Sequence, residues 1–226
     1  MITWMNKLAR KLREKNYFFR RLFDIGMDNL WVDKTILLRF DLESIDFSRK
    51  FEKIDIRWYL ATVEDCEKWF IGEPKGFPAE TKKRFLQLIR RGDWVVFGER
   101  VDHEQNSICK PLAHAACVFQ FKPMTNQTDF QLLDREGFIM TVFTDPHNRG
   151  AGLASGCITE IIRRAHEKGY QTLYIDISTA NTPSIRAAMK AGAVLTQSGY
   201  YHIRLLKRSL LILFGPLRNR FIRTIE

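Results

Sequence analysis

Short apolar, β-branched runs alternate along this chain with segments whose apolar residues recur every three to four positions, the signature of a mixed sheet-and-helix domain. Strand-like runs fall at Thr35–Phe40, Ile54–Leu60, Trp94–Glu99, His114–Phe121, Phe138–Phe143 and Leu173–Ser178. Two closing strands follow, one opening at Ala193–Thr196 and one around Tyr201–Leu206. Helical spacing marks Cys66–Phe70, where Thr62 and Asp65 form a capping pair, and Glu80–Arg91, which stops at Gly92. A longer helix spans Leu153–Glu167 and ends before Gly169, and a short one spans Ser184–Lys190 before Gly192. Residues 122–135 are polar and read as a mobile connection. Ahead of all this, Met5, Leu8, Ala9 and Leu12 line one face of a helix whose other face carries Lys7, Arg10, Lys11 and Arg13.

Charge sharpens this division. The chain has 226 residues and a net charge of +10. Residues 1–21 carry seven basic side chains against one acid, and residues 200–226 six against one, so the middle is close to neutral. The pattern predicts a basic amphipathic extension over 1–53, a folded domain over 54–207 and a basic, apolar tail over 208–226. The two ends suit either peripheral contact with an anionic membrane or packing on the domain or a second subunit; oligomeric state stays open. Nucleic acid is not expected as a partner, because the basic residues interleave with an amphipathic stripe and match no reading motif. The apolar run Leu210–Phe214 falls far short of the ~20 residues that span a bilayer. With no signal-peptide core at the start, a cytoplasmic location is expected, peripheral at the membrane surface if the ends bind lipid. Cys66, Cys109, Cys117 and Cys157 show no paired spacing and the five histidines no ligand spacing, so no metal is expected.

The candidate chemistry sits where the Phe138–Phe143 strand enters the long helix through Asp145-Pro146-His147-Asn148 and Arg149-Gly150-Ala151-Gly152-Leu153-Ala154. A helix that begins in small residues offers unpaired N–H groups and a positive dipole end, the ordinary seat of a phosphate. Gly150 and Gly152 lack a Cβ and so would let a ligand approach the backbone. Arg149-x-x-Gly152-x-Ala154, followed by Asn181-x-x-Ser184 and Lys190-x-Gly192 in strand, loop and helix context, resembles the GNAT superfamily of acyl-CoA-dependent N-acetyltransferases over roughly residues 54–207.

That resemblance implies an α/β (α+β) fold: a mixed, mostly antiparallel central sheet splayed between its fourth and fifth strands, with helices on both faces. It implies acetyl-CoA as acyl donor, its pantetheine arm along Val142, Phe143 and Thr144 and its pyrophosphate on the N–H groups of Arg149, Gly150, Ala151, Gly152, Leu153 and Ala154. Asn181 and Ser184 match the second contact region, although the same residues form a plain helix cap. The acceptor would be the primary amine of a small molecule or sugar, attacking directly. A longer acyl thioester as donor, or a catalytically inactive CoA-binding module, are the alternatives.

The acid and base are less legible. Where many relatives carry a tyrosine, this chain has Ala188, and at Thr141 it lacks the acidic residue often found there. Tyr200 and Tyr201 beside the last strand are the weak candidates for the proton donor. Asp176 alternates with Ile175 and Ile177 and so faces away from their apolar side, as a base reached through water or as a solvated position. His114 opens a strand of small residues and reads as structural.

Overall fold

The structure, a computed structural model, describes residues 30–48, 51–69, 79–101, 111–119, 121–125, 128–205 and 208–223. The basic amphipathic segment at 1–21 and Cys109 lie outside the described residues. The strands are β1 (Leu30–Asp41), β2 (Ile56–Leu60), β3 (Trp94–Arg100), β4 (Ala113–Val118), β5 (Phe121–Thr125), β6 (Thr128–Gln131), β7 (Glu136–Thr144), β8 (Thr172–Ser178), β9 (Val194–Leu205), β10 (Arg208–Phe214) and β11 (Phe221–Arg223). The helices are α1 (Val63–Trp69), α2 (Ala79–Arg90), α3 (Leu153–Glu167) and α4 (Thr182–Lys190). Thr62 and Asp65 cap α1 reciprocally: the Asp65 N–H donates to Thr62 Oγ1 at 3.1 Å, and the Thr62 N–H donates to Asp65 Oδ2 at 2.8 Å.

Eight strands form the central sheet in the order β10-β9-β1-β8-β7-β4-β3-β2, and only β7 and β8 run parallel. Strict alternation along the strands builds two cores. On one face Leu38, Phe40, Ile139, Ile175 and Ile177 pack against Cys157, Ile158 and Ile161 of α3 and Ala188 of α4. On the other, Val95, Phe97, Phe138 and Met140 pack against Cys66 of α1 and Phe85 and Leu88 of α2. Cys66, Cys117 and Cys157 are all buried. The mixed sheet with helices on both faces is the architecture the sequence predicts.

Three segments differ from expectation. β1, assigned by sequence to an extension outside the domain, lies in mid-sheet between β8 and β9, with Thr35 opposite both Ser178 and Tyr200. The described residues 193–205 form no pair of closing strands. They make the single strand β9, kinked where the register slips between Ile36 and Leu38 and Gln197 takes φ 59°. Much of residues 122–135 is a hairpin, β5–β6, which joins β11 in a second three-stranded sheet. The tail is likewise part of the fold: β10 pairs with β9, a 3-10 turn follows at Pro216–Arg220, and β11 pairs with β6. No helix among the described residues is long and apolar enough to cross a membrane.

Candidate active site

The ladder between β7 and β8 runs from Glu136/Thr172 to Ile139/Ile175 and stops there. Beyond it β7 bulges. His114 of β4 faces Phe143 and Ala116 faces Met140, so two residues of β7, Thr141 and Val142, oppose the single Ala115. Thr141 takes φ 57°, an outlier for a β-branched side chain that costs about 1–3 kcal/mol. The bulge turns β7 away from β8 and opens a cavity of about 340 Å³ between them. Because this opening passes through the sheet, its walls come from both faces: Ala154, Ile158, Ser184 and Ala187 from α3 and α4, and Arg84 from α2.

At one end of the cavity α3 begins. Gly150 and Gly152 take φ 83° and 85°, and the first α3 hydrogen bond runs from the Gly156 N–H to the Gly152 carbonyl. The N–H groups of Leu153, Ala154 and Ser155 therefore precede the ladder of the helix, and no side chain caps them. This end is suited to a phosphate. The two glycines differ in what they admit. A Cβ at Gly150 would meet open space, whereas one at Gly152 would lie 2.0 Å from the Phe51 carbonyl oxygen. The Gly152 side of the turn is thus taken by the chain's own backbone at 51–53, held by a bond from the Lys53 N–H to the Ala151 carbonyl. The space beside the Cα is thus open at Gly150 and filled by Phe51 at Gly152.

Of the other residues implied for the donor, Val142 lines the cavity, Phe143 stacks on His114 at 5.2 Å, and the Thr144 hydroxyl is buried with no hydrogen-bond partner. Arg149 is exposed beside the turn, and Leu153 turns its side chain into the core. Asn181 caps α4, its Oδ1 accepting from the Ser184 N–H at 3.2 Å, while both residues also face the cavity. Cap and cavity wall coincide there.

Opposite α3, on the face that carries α1 and α2, lies an ordered carboxylate. Tyr200 donates to Asp176 Oδ2 at 2.6 Å, and Thr35 of β1 donates in turn to Tyr200. Burial, and then the neighbouring Asp176 charge, push the Tyr200 phenol far above its ordinary range, so it stays protonated and can only act as the donor in this pair. Tyr201 points to the opposite face, where its ring packs 5.4 Å from Phe214 and 5.8 Å from Lys34 Nζ. Which tyrosine faces the site is set by the pairing with β1, Tyr200 opposite Thr35 and Tyr201 opposite Lys34, a long-range register that no local pattern revealed. Ala188 is fully buried in the core, and His114 sits among Phe85, Phe97 and Phe143 with its pKa lowered by burial to about 3, a neutral packing residue. Sequence reasoning did not single out Arg84, which lines the cavity, or Thr35, which bonds Tyr200. Among the described residues no cluster of His, Cys, Asp and Glu could hold a metal ion.

A family model described as the acetyltransferase (GNAT) family matches residues 63–193. The comparison with curated proteins finds no match. Among solved structures, a GNAT acetyltransferase from Colwellia psychrerythraea is 17% identical with a TM-score of 0.51, covering 79% of this chain and 58% of its own. A GCN5-related N-acetyltransferase from Sphaerobacter thermophilus is 13% identical with a TM-score of 0.54, covering 85% and 57%. A glucosamine N-acetyltransferase region within a fungal multi-domain β-N-acetylglucosaminidase is 12% identical with a TM-score of 0.52, covering 80% and 22%. At these identities the likeness is one of fold, and the chain spans less than three fifths of each of these structures.

Proposed function

The chain belongs to the GNAT acetyltransferase family, and from that premise we propose that it moves an acetyl group from acetyl-CoA to the primary amine of a small molecule or sugar. The observation that carries this reading is the Asp176 carboxylate, held by Tyr200 on the wall of the cavity where β7 and β8 part. The residues present fit an acyl-CoA. The open N–H groups at the start of α3 and the uncrowded Gly150 suit its pyrophosphate, and the bulged β7 offers backbone groups at Val142–Thr144 for an extended arm. Bound acetyl-CoA supplies the thioester carbonyl that the amine attacks.

The protein's own part is positional and electrostatic. Asp176 attracts the incoming ammonium and takes its proton, leaving the nitrogen lone pair free to attack; as C–N forms and C–S breaks, CoA would leave as the thiol with a proton passed back through water. Tyr200 and Thr35 hold that carboxylate in one orientation, which makes them positioning residues and leaves Asp176 as the base. A backbone N–H of β7 at the bulge would donate to the carbonyl oxygen as charge develops there. Ile139, Val142, Ile175 and Ile177 keep bulk water from the reacting atoms and strengthen each of these interactions.

Asp176→Asn should lower turnover on a panel of primary amines by roughly 10²- to 10⁴-fold. CoA should still stabilise both proteins, by about 2.7 kcal/mol at ~100 times its Kd. Wild-type turnover in Asp176→Asn would remove the base, and CoA binding without acetylation of any amine would remove the transferase reading.

A further inference from the structure

The walls of the cavity contain two ionic side chains, Asp176 and Arg84, with apolar, hydroxyl and amide groups between them. Both lie on the face opposite α3. Asp176 shares its side of the sheet with Leu37, its partner across β1, and with Tyr174, both in the core beneath α2. Arg84 belongs to α2, whose seat is fixed by the next residue. Phe85 is fully buried, edge-on to His114 at 4.9 Å and 6.1 Å from Phe97. Leu88, one turn on, is also buried. The helix cannot roll without emptying that aromatic pocket, so Arg84 keeps its place on the cavity wall, with its side chain exposed to solvent. The guanidinium therefore stands on the acceptor side, across the sheet from the helix start that suits the donor's phosphates.

We propose that the acceptor is an amine that also carries an anionic group, a carboxylate or a phosphate, with its ammonium at Asp176 and its anion at Arg84. This rests on the acetyl-transfer reading and narrows its substrate. A guanidinium offers paired donors to a carboxylate or phosphate, and such charge-assisted bonds are the strong ones. It also selects negatively: a diamine would bring its second ammonium against Arg84, and a plain alkylamine would gain nothing from it.

The test uses O-phosphoethanolamine, 3-aminopropanoate, 1-aminopropane and 1,3-diaminopropane as acceptors. Each is titrated calorimetrically into the CoA-loaded protein and assayed for acetylation with acetyl-CoA. One or both anionic amines should exceed 1-aminopropane by roughly 10- to 100-fold in affinity and in kcat/KM, with the diamine poorest. The better of the two identifies phosphate or carboxylate. Arg84→Ala should erase that ratio chiefly through KM, and Arg84→Glu should invert it towards the diamine. Equal affinity for amines with and without an anionic group, or no binding of any of the four, would overturn the inference. So would an Arg84→Ala variant that loses CoA as much as acceptor. Arg84-dependent binding of O-phosphoethanolamine or 3-aminopropanoate without acetylation would uphold it while refuting the transfer reading, and acetylation indifferent to the anion would do the reverse.

Discussion

Arg220 tests whether the tail is part of the folded domain. Its guanidinium donates to the Gln131 carbonyl at 2.7 and 3.1 Å, to Tyr174 Oη at 3.1 Å and to both oxygens of Glu136, and it lies 5.0 Å from the centre of the Phe130 ring. The side chains of Arg220 and Glu136 are 15% and 13% exposed, so Arg220→Ala leaves a carboxylate nearly out of water. Breaking such a buried pair costs about 3–5 kcal/mol. Glu136 keeps two donors, the Leu133 N–H at 2.9 Å and the Tyr174 hydroxyl at 3.2 Å, which places the expected loss near the lower bound, about 3 kcal/mol. At roughly 2–4 °C per kcal/mol for a domain of this size, the melting temperature should fall by about 6–12 °C. The double variant Arg220→Met, Glu136→Leu removes both charges and should recover most of the loss. Circular dichroism melts of wild type and both variants decide the matter. A drop under 3 °C for Arg220→Ala, or a double variant no better than the single, would mean that the tail is not clamped as described.

Gly152→Ala and Gly150→Ala should separate two kinds of cost in urea unfolding. Both meet the left-handed backbone penalty of about 1–2 kcal/mol, and only Gly152→Ala adds about 1–3 kcal/mol of overpacking against Phe51; equal losses would disprove the crossing at 51–53. His114 gives a pH signature. Its folded pKa of about 3 lies below the unfolded value of 6.5, so the unfolded chain binds the extra proton between them and stability falls as pH drops through that window. From pH 7 to pH 5 this group should remove about 2 kcal/mol. His114→Leu should lack that increment, and identical pH slopes in the two proteins would show that the imidazole is not held neutral.

How far the sequence anticipates the molecule depends on whether a feature is local. The limits of α3 follow from its apolar stripe, the small residues before it and Gly169 after it, and the expected span agrees with the observed Leu153–Glu167. The capping pair at Thr62 and Asp65 and the cap at Asn181 are equally local. What β1 pairs with is not written near β1: Thr35–Phe40 announces a strand, yet nothing there names β8 and β9 as its neighbours. The same holds for the hairpin at 121–131, whose polar residues suit an exposed ribbon as well as a loop. At the site, the glycine turn is legible as a motif, but the crossing that closes Gly152 comes from residues about 100 positions earlier. The choice of Tyr200 over Tyr201 follows from the pairing of β9 with β1, which sets Tyr200 opposite Thr35 and which nothing near either tyrosine specifies. Arg84 carries no motif at all and acquires a role only through the seat of Phe85.

The place of β1 also bears on how the chain is born. Its partners in β8 emerge from the ribosome about 130 to 140 residues after it, and those in β9 later still. At about 5–20 residues per second, β1 waits on the order of ten seconds with both edges unsatisfied, while β2, β3 and β4 already have each other. A run such as Thr35-Ile36-Leu37-Leu38-Arg39-Phe40 is the kind of segment that pairs with the wrong chain when left exposed, and Arg39 is the one charge in it. Closure of the sheet at its middle is thus a late event and a slow one, as expected for contacts of high sequence separation. A nascent-chain protease assay should find β1 protected only once β9 has cleared the exit tunnel.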